Sequence, residues 1–278
     1  MSKIIELFGF RTDNVKLDWE NIIKNQLCPY TGKKCFKVRK SQPEISIGTC
    51  SVKYGINNHS IIICPDRLLQ NRKVFIDCLH LLQLHQPGND IHIVPELSVP
   101  GGSVDYVIAS VRDKKVKDFL GIEFQTLDTT GTVWPERLKF LKNLGLNIFE
   151  KEDSRTYGMN WKMTAKTILV QLHHKISTFE YLHKHLVLII QNHFLDYMKK
   201  EFNFTTVNNP GLSGDSLQFH SYSLNDNEEY CLKLQERLST NSIGVAECLG
   251  LNAAKDIDME IMFETIEKKI SDRTLLKI

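Results

Sequence analysis

Several things are missing from this 278-residue chain, and each absence narrows its role. No run of 18 apolar residues is present, so no membrane-spanning helix is expected. The opening Met1-Ser2-Lys3-Ile4-Ile5-Glu6 lacks the apolar core of a signal peptide, so a cytoplasmic protein is expected. There is no internal repeat and no low-complexity tract. There is little charge imbalance either: 35 Lys and Arg against 33 Asp and Glu leave a formal +2, so any attraction for nucleic acid must be local. The seven cysteines are odd in number and none belongs to a Cys-x-x-Cys pair, which argues against both a disulfide framework and a common zinc finger.

What is present reads as one substantial α/β chain. Residues 1–66 carry short apolar runs among Cys, Lys, Pro and Gly and are expected to form a compact module. From 67 to 85, Phe75, Cys78, Leu79 and Leu82 recur at helical spacing. Three strand-like runs follow, "IHIVPEL" (91–97), "VDYVIAS" (104–110) and "KDFLGIEFQ" (117–125). Pro135 opens a helix, and helices are expected over about 161–175 and 178–199. Beyond 200, "LQFHSYSL" reads as a strand, "NDNEEY" as a loop and 257–271 as a helix. The order predicts a central mixed sheet flanked by helices, divided into an N-terminal module (1–66), a core (67–200) and a C-terminal extension (201–278) packed on it for recognition or dimerisation.

The chemistry concentrates in the last two strand-like runs. Side chains alternate along a strand, so Glu123 and Gln125 share the face opposite to Ile122 and Phe124. If the runs form a hairpin centred on Lys114, Asp105 lies across from Glu123. Opposed like charges are destabilising. A divalent cation resolves the conflict, since Mg²⁺ takes one or two carboxylates together with water and substrate phosphate. Two carboxylates and a polar residue two places after the second suit metal-assisted phosphodiester hydrolysis, with Gln125 able to hold a water but not to take its proton. Glu96, on the preceding strand, is a candidate third acid. The competing reading is a solvated polar strand face, and an odd slip in register would support it by turning one acid away.

A second cluster lies upstream. Cys28, Cys35, Cys50 and Cys64 fall within one module, and four thiolates suit tetrahedral zinc or a single iron as a structural metal. Lys33, Lys34, Lys37, Arg39 and Lys40 make a basic run beside them that could contact DNA phosphates. Gln171 and Lys175 share one face of the helix expected from 161 and could approach the acids.

Taken together, "CPYTGKKCFKVRKSQPEISIGTCSV", "IIICPDRLL", "GGSVDYVIAS", "GIEFQTLDTTGTVWP" and "NWKMTAKTILVQLHHK" resemble the NotI-type restriction endonucleases, over roughly residues 17–195. The resemblance implies a PD-(D/E)xK nuclease core in its rarer ExQ form. It also implies a homodimeric, Mg²⁺-dependent Type II enzyme that cuts duplex DNA at a palindromic, GC-rich site. On this reading Asp105 and Glu123 hold the cation, Gln125 replaces the usual lysine, and the four cysteines bind iron. The alternative is a non-catalytic DNA-binding protein on a degenerate nuclease fold.

Overall fold

The computed structural model describes residues 2–146, 155–224, 230–251, 263–264 and 266–269. The N-terminal region contributes β1 (Ile4–Leu7), β2 (Phe10–Arg11), α1 (Trp19–Asn25), β3 (Val38–Arg39), β4 (Gln42–Ser46), β5 (Thr49–Tyr54) and β6 (His59–Ile62). A 3₁₀ segment (Pro65–Arg72) leads into α2 (Lys73–Cys78). The middle of the chain forms β7 (Asp90–Val99), β8 (Gly102–Arg112), β9 (Lys115–Gln125), β10 (Thr129–Gly131), α3 (Trp134–Asn143), β11 (Tyr157–Met159) and α4 (Trp161–Tyr181). Then come β12 (His185–Gln191), α5 (Asn192–Glu201), β13 (Leu217–Leu224), β14 (Leu232–Thr240) and α6 (Ser242–Cys248).

Six strands make the central sheet, in the order β14-β13-β12-β9-β8-β7. β12 runs parallel to both β9 and β13, and the outer pairs are antiparallel, so the sheet is mixed as expected. Helices α4 and α5 bury one face against Leu186, Leu188 and Ile190, while α2 and its neighbours cover Val187, Ile189, Ile108 and Ile122 on the other.

Two helical expectations are corrected. The run "HLVLIIQ" is the strand β12, with all seven residues buried, and not part of a helix over 178–199. A strand covered on both faces has no alternation to show, so its continuous apolar run reads equally as helix. The span 67–85 holds only the short α2 between 3₁₀ turns; Asn71 and Arg72 both take positive φ and break it. Within the extension after 200, β13 and β14 complete the central sheet. Of the loop expected at "NDNEEY", residues 225–229 lie outside the described residues, as does most of the helix expected over 257–271.

The N-terminal module shares the main core, since Ile4, Leu7, Phe8, Trp19, Val52 and Ile61 pack into the cluster beneath α4. Two polar ties fix it. Gln191 at the end of β12 accepts from the Ile62 amide (2.9 Å) and donates to the Ser60 carbonyl (2.5 Å). Arg67, fully buried, pairs with Glu6 of β1 at 2.8 Å and donates to the Tyr230 carbonyl at 2.6 Å. Removing either partner of such a pair strands a buried charge, so it locks the 3₁₀ segment to the module.

Candidate active site

The register of the β8–β9 hairpin decides whether two acids meet. Its turn is Asp113-Lys114, both with positive φ (52° and 59°), as a tight two-residue hairpin requires. Beside the turn, Arg112 pairs with Lys115 and Val111 with Val116; beyond it, Ser110 pairs with Asp118 and Tyr106 with Ile122. Lys117 is the surplus residue of a β-bulge between these stretches. The bulge changes the register by one, and continuing the ladder past Tyr106–Ile122 sets Asp105 opposite Glu123. The ladder itself ends at Tyr106–Ile122; its extension matches the opposition expected from the sequence, the Asp105 charge acts on Glu123, and the hairpin is not centred on Lys114.

A third acid joins the row. Pro95 pairs with Tyr106 and Leu97 with Val104, which places Glu96 beside Asp105. Glu96 takes φ +49°, an uncommon conformation for a side chain of this kind, and its charge acts on Asp105. Glu96, Asp105 and Glu123 thus lie abreast on three adjacent strands, with Glu96 exposed, Asp105 half-buried and Glu123 buried.

Helix α4 supplies the counter-charge. Lys175 Nζ donates to Glu123 Oε1 at 2.6 Å, and both side chains are buried. Two glycines allow the helix to come this close. A Cβ on Gly121 would lie 2.5 Å from the Phe179 ring, and one on Gly101 would lie 2.1 Å from the His174 carbonyl oxygen. Thr178 Oγ1 adds a hydrogen bond to the Pro100 carbonyl (3.2 Å), so the β7–β8 turn is wedged under the helix at Lys175. The helical face that carries Gln171 and Lys175 therefore does reach the acids, through Lys175.

One ammonium does not neutralise this row. Burial pushes the Glu123 carboxyl up to about 7; Lys175 opposes the rise and Asp105 adds to it. Asp105 is raised by burial and by Glu96, against the pull of the Phe124 amide, which donates to its Oδ2 at 2.7 Å, and of Lys175. Gln125 is turned elsewhere: its amide nitrogen donates to the Thr126 carbonyl at 2.7 Å.

The cysteine module is different in kind. Cys28, Cys35, Cys50 and Cys64 are all buried, and Cys35 feels both Cys64 and Cys28. Cys50 hydrogen-bonds Cys64; that contact draws the Cys64 thiol down to about 7, and it pushes Cys50 up. Cys28 also approaches Asp66 Oδ2, at 3.9 Å. Yet among the described residues no three His, Cys, Asp or Glu side chains are placed to hold one metal ion, so the expected four-thiolate centre is not drawn together. The basic run is largely tied to the protein itself. Lys34 donates to the Glu44 carbonyl (2.8 Å) and Lys37 to the Ile63 carbonyl, while Arg39 lies 4.4 Å from the Trp134 ring centroid. Lys33, Lys34 and Lys40 are exposed.

Sequence reasoning missed the buried Glu6–Arg67 pair and the part played by Gly101. The "PGGS" turn was the available signal for the latter. No helix among the described residues is long and apolar enough to cross a membrane. No protein-family model matches the chain, and neither a curated protein nor a solved structure matches it.

Proposed function

We propose that the chain is a Mg²⁺-dependent phosphodiester hydrolase with a PD-(D/E)xK-like core, acting on duplex DNA as a homodimeric restriction endonuclease. The observation that carries this reading is the proximity of half-buried Asp105 to buried Glu123, on which its charge acts, with Glu96 acting on Asp105 and Lys175 bound to Glu123. A solvated strand face would let its carboxylates separate into water. Here a bulge and a close-packed helix hold them together, at a cost visible in two raised carboxyl groups.

The donor set fits a hard divalent cation: two oxygen ligands of like charge, with water and phosphate oxygens completing the shell. When bound there, the cation would polarise the phosphate and lower the pKa of an attached water. The chain's own residues do the rest. Asp105 and Glu123 fix the cation's place on the sheet. Lys175 brings the positive charge that the ExQ motif lacks, within reach of the attacked phosphate or the attacking water. Its position on α4 takes over what Gln125 cannot do, because an amide neither carries charge nor accepts the proton. Lys33 and Lys40 are the members of the basic run left for backbone phosphates.

The second reading, a DNA-binding protein that no longer cuts, is favoured by the Gln125 amide facing the Thr126 carbonyl. Supercoiled plasmid incubated with and without Mg²⁺ separates the two. Metal-dependent linear product, lost in Asp105→Ala while a gel shift persists, supports the nuclease. A gel shift with no cleavage under any divalent cation supports the alternative.

A further inference from the structure

Away from the acid row, a cavity of 740 Å³ opens beside β14 and is bounded by His80, Leu81, Pro210, Leu212, Leu234 and Arg237. Its polar side is built around a second bulge. Ser221 pairs with Glu236 but Tyr222 pairs with Leu234, so Gln235 is surplus and Arg237 falls opposite His220. Bulges re-aim side chains, and this one puts a guanidinium and an imidazole on the same face.

Both groups keep a donor with nothing to receive it. The Arg237 Nε and His220 Nε2 atoms are buried and have no hydrogen-bond partner. The remaining contacts fix what these atoms are. Arg237 spends Nη2 on the Asp77 carbonyl (3.3 Å). His220 Nδ1 lies 3.5 Å from Cys78 Sγ, and burial pushes the Cys78 thiol up, keeping it protonated. With that thiol as the donor to Nδ1, Nε2 would carry the ring proton. Burial and Arg237 also hold His220 down, to about 3, so the ring is neutral. His80 stacks on His220 with centroids 5.9 Å apart and planes 11° apart. The carboxylates nearby are engaged: Asp77 receives the Tyr222 hydroxyl (3.0 Å) and pairs with Lys73, and Glu236, on the cavity wall, pairs with Lys199 at 2.7 Å.

Two orphaned donors, one permanently charged, with a second imidazole alongside, call for an acceptor-only group. A phosphate monoester offers three acceptor oxygens, whereas a carboxylate offers two in one plane. The cavity is much larger than an anion, and its other walls mix apolar side chains (Leu81, Leu212, Leu234) with polar ones (Gln218, Gln235, Glu236), which suits a carrier whose body is partly polar, such as a nucleoside. We propose that this cavity binds the phosphate group of a small phosphorylated ligand, with the Arg237 guanidinium as the anchoring donor and His80 beside it, while the fully buried His220 backs Arg237 from behind the cavity wall.

The test is calorimetric titration of the full chain in EDTA, so that it stands or falls apart from any metal-dependent cleavage. Three probes are used: inorganic phosphate, a deoxynucleoside monophosphate and the matching nucleoside. Saturable binding of either phosphate-bearing probe, with none of the nucleoside, is expected. Binding of the monophosphate should weaken about tenfold in Arg237→Met and persist in Asp105→Ala. Equal affinity for inorganic phosphate would identify the free anion as the ligand; tighter binding of the monophosphate would identify the esterified one. His80 is exposed, so His80→Ala removes a flanking donor without touching the core, and it should weaken binding if Arg237→Met does not fold. The absence of binding by both phosphate-bearing probes overturns the proposal, as does parental affinity in the folded variants.

Discussion

The acid row and the cysteine module both presented themselves as metal sites, and the chain treats them in opposite ways. The acids are forced together. A surplus residue corrects their register, two glycines admit a helix, and a lysine is buried to partner one of them. The thiols are all buried in one module; among the described residues no three side chains, there or in the acid row, are placed to hold one metal ion. The difference follows from the neutral forms. A buried thiol is a small apolar group that needs no partner, whereas a buried carboxylate must be paired, protonated or bound to a cation. Crowded acids therefore say more about a ligand than crowded thiols do.

The sharpest way to break this comparison is at the acids. Asp105→Ala should lower cleavage by roughly a thousandfold or more, since it removes a cation ligand, while the melting temperature holds. A plasmid assay and a thermal melt read the two effects, and retained cleavage ends the proposed role. Lys175→Met should cost cleavage about a hundredfold and destabilise by about 3–5 kcal/mol, the penalty for stranding one member of a buried pair. Adding Glu123→Gln should recover most of that stability, though not activity. A double variant as unstable as the single one would show that the lysine acts through packing alone.

The thiol side of the comparison is sharpened by Cys35→Ser. If the module is simply core, the variant should lose about 1–3 kcal/mol for an ill-matched buried hydroxyl, and elemental analysis of the parent should find no stoichiometric iron or zinc. One equivalent of either metal, lost in the variant, would make the two regions alike after all. A smaller effect comes from magnesium itself. The unliganded Glu123 takes up a proton as pH falls through about 7. The stability carried by that proton is complete below the free carboxyl value of 4.5 and is lost as pH rises through about 7, above which the cation can replace it. Magnesium should therefore raise the melting temperature by roughly 2 °C one unit above this pH, and by less one unit below it. An equal shift at both pH values would remove Glu123 from the cation's ligands. Smallest of all should be the effect of deleting Lys117, which leaves the pairing on either side of the bulge unchanged. Folding and cleavage should survive, and loss of cleavage in a folded variant would show that the bulge does more than set the register.

Much of this was legible before the fold was known. The alternation in "GIEFQ" puts Glu123 and Gln125 on one face, and a turn centred on Lys114 would set Asp105 against Glu123; the turn is instead Asp113-Lys114, and the register that opposes them is restored only by the Lys117 bulge, which no residue type announces. Lys175 was visible as a polar position on a helical face, but its target was not, since only the packing of α4 on Gly121 and Gly101 determines which strand it meets. The central strand β12 was misread because total burial erases periodicity. Arg237 and His220 could not be paired in advance, because their opposition depends on a bulge that no residue type announces.

One further consequence lies in Pro95 and Glu96. They sit on β7, the outermost strand of the sheet, whose rim has no neighbouring strand in the sheet order. An open rim of this kind invites another polypeptide to stack on and continue the ladder. Proline lacks the amide proton that such continuation needs, and the left-handed twist at Glu96 kinks the line of carbonyls next to it. The same kink that seats an acid beside Asp105 thus makes the rim a poor template for aggregation. Two copies of this chain would have to join through another surface.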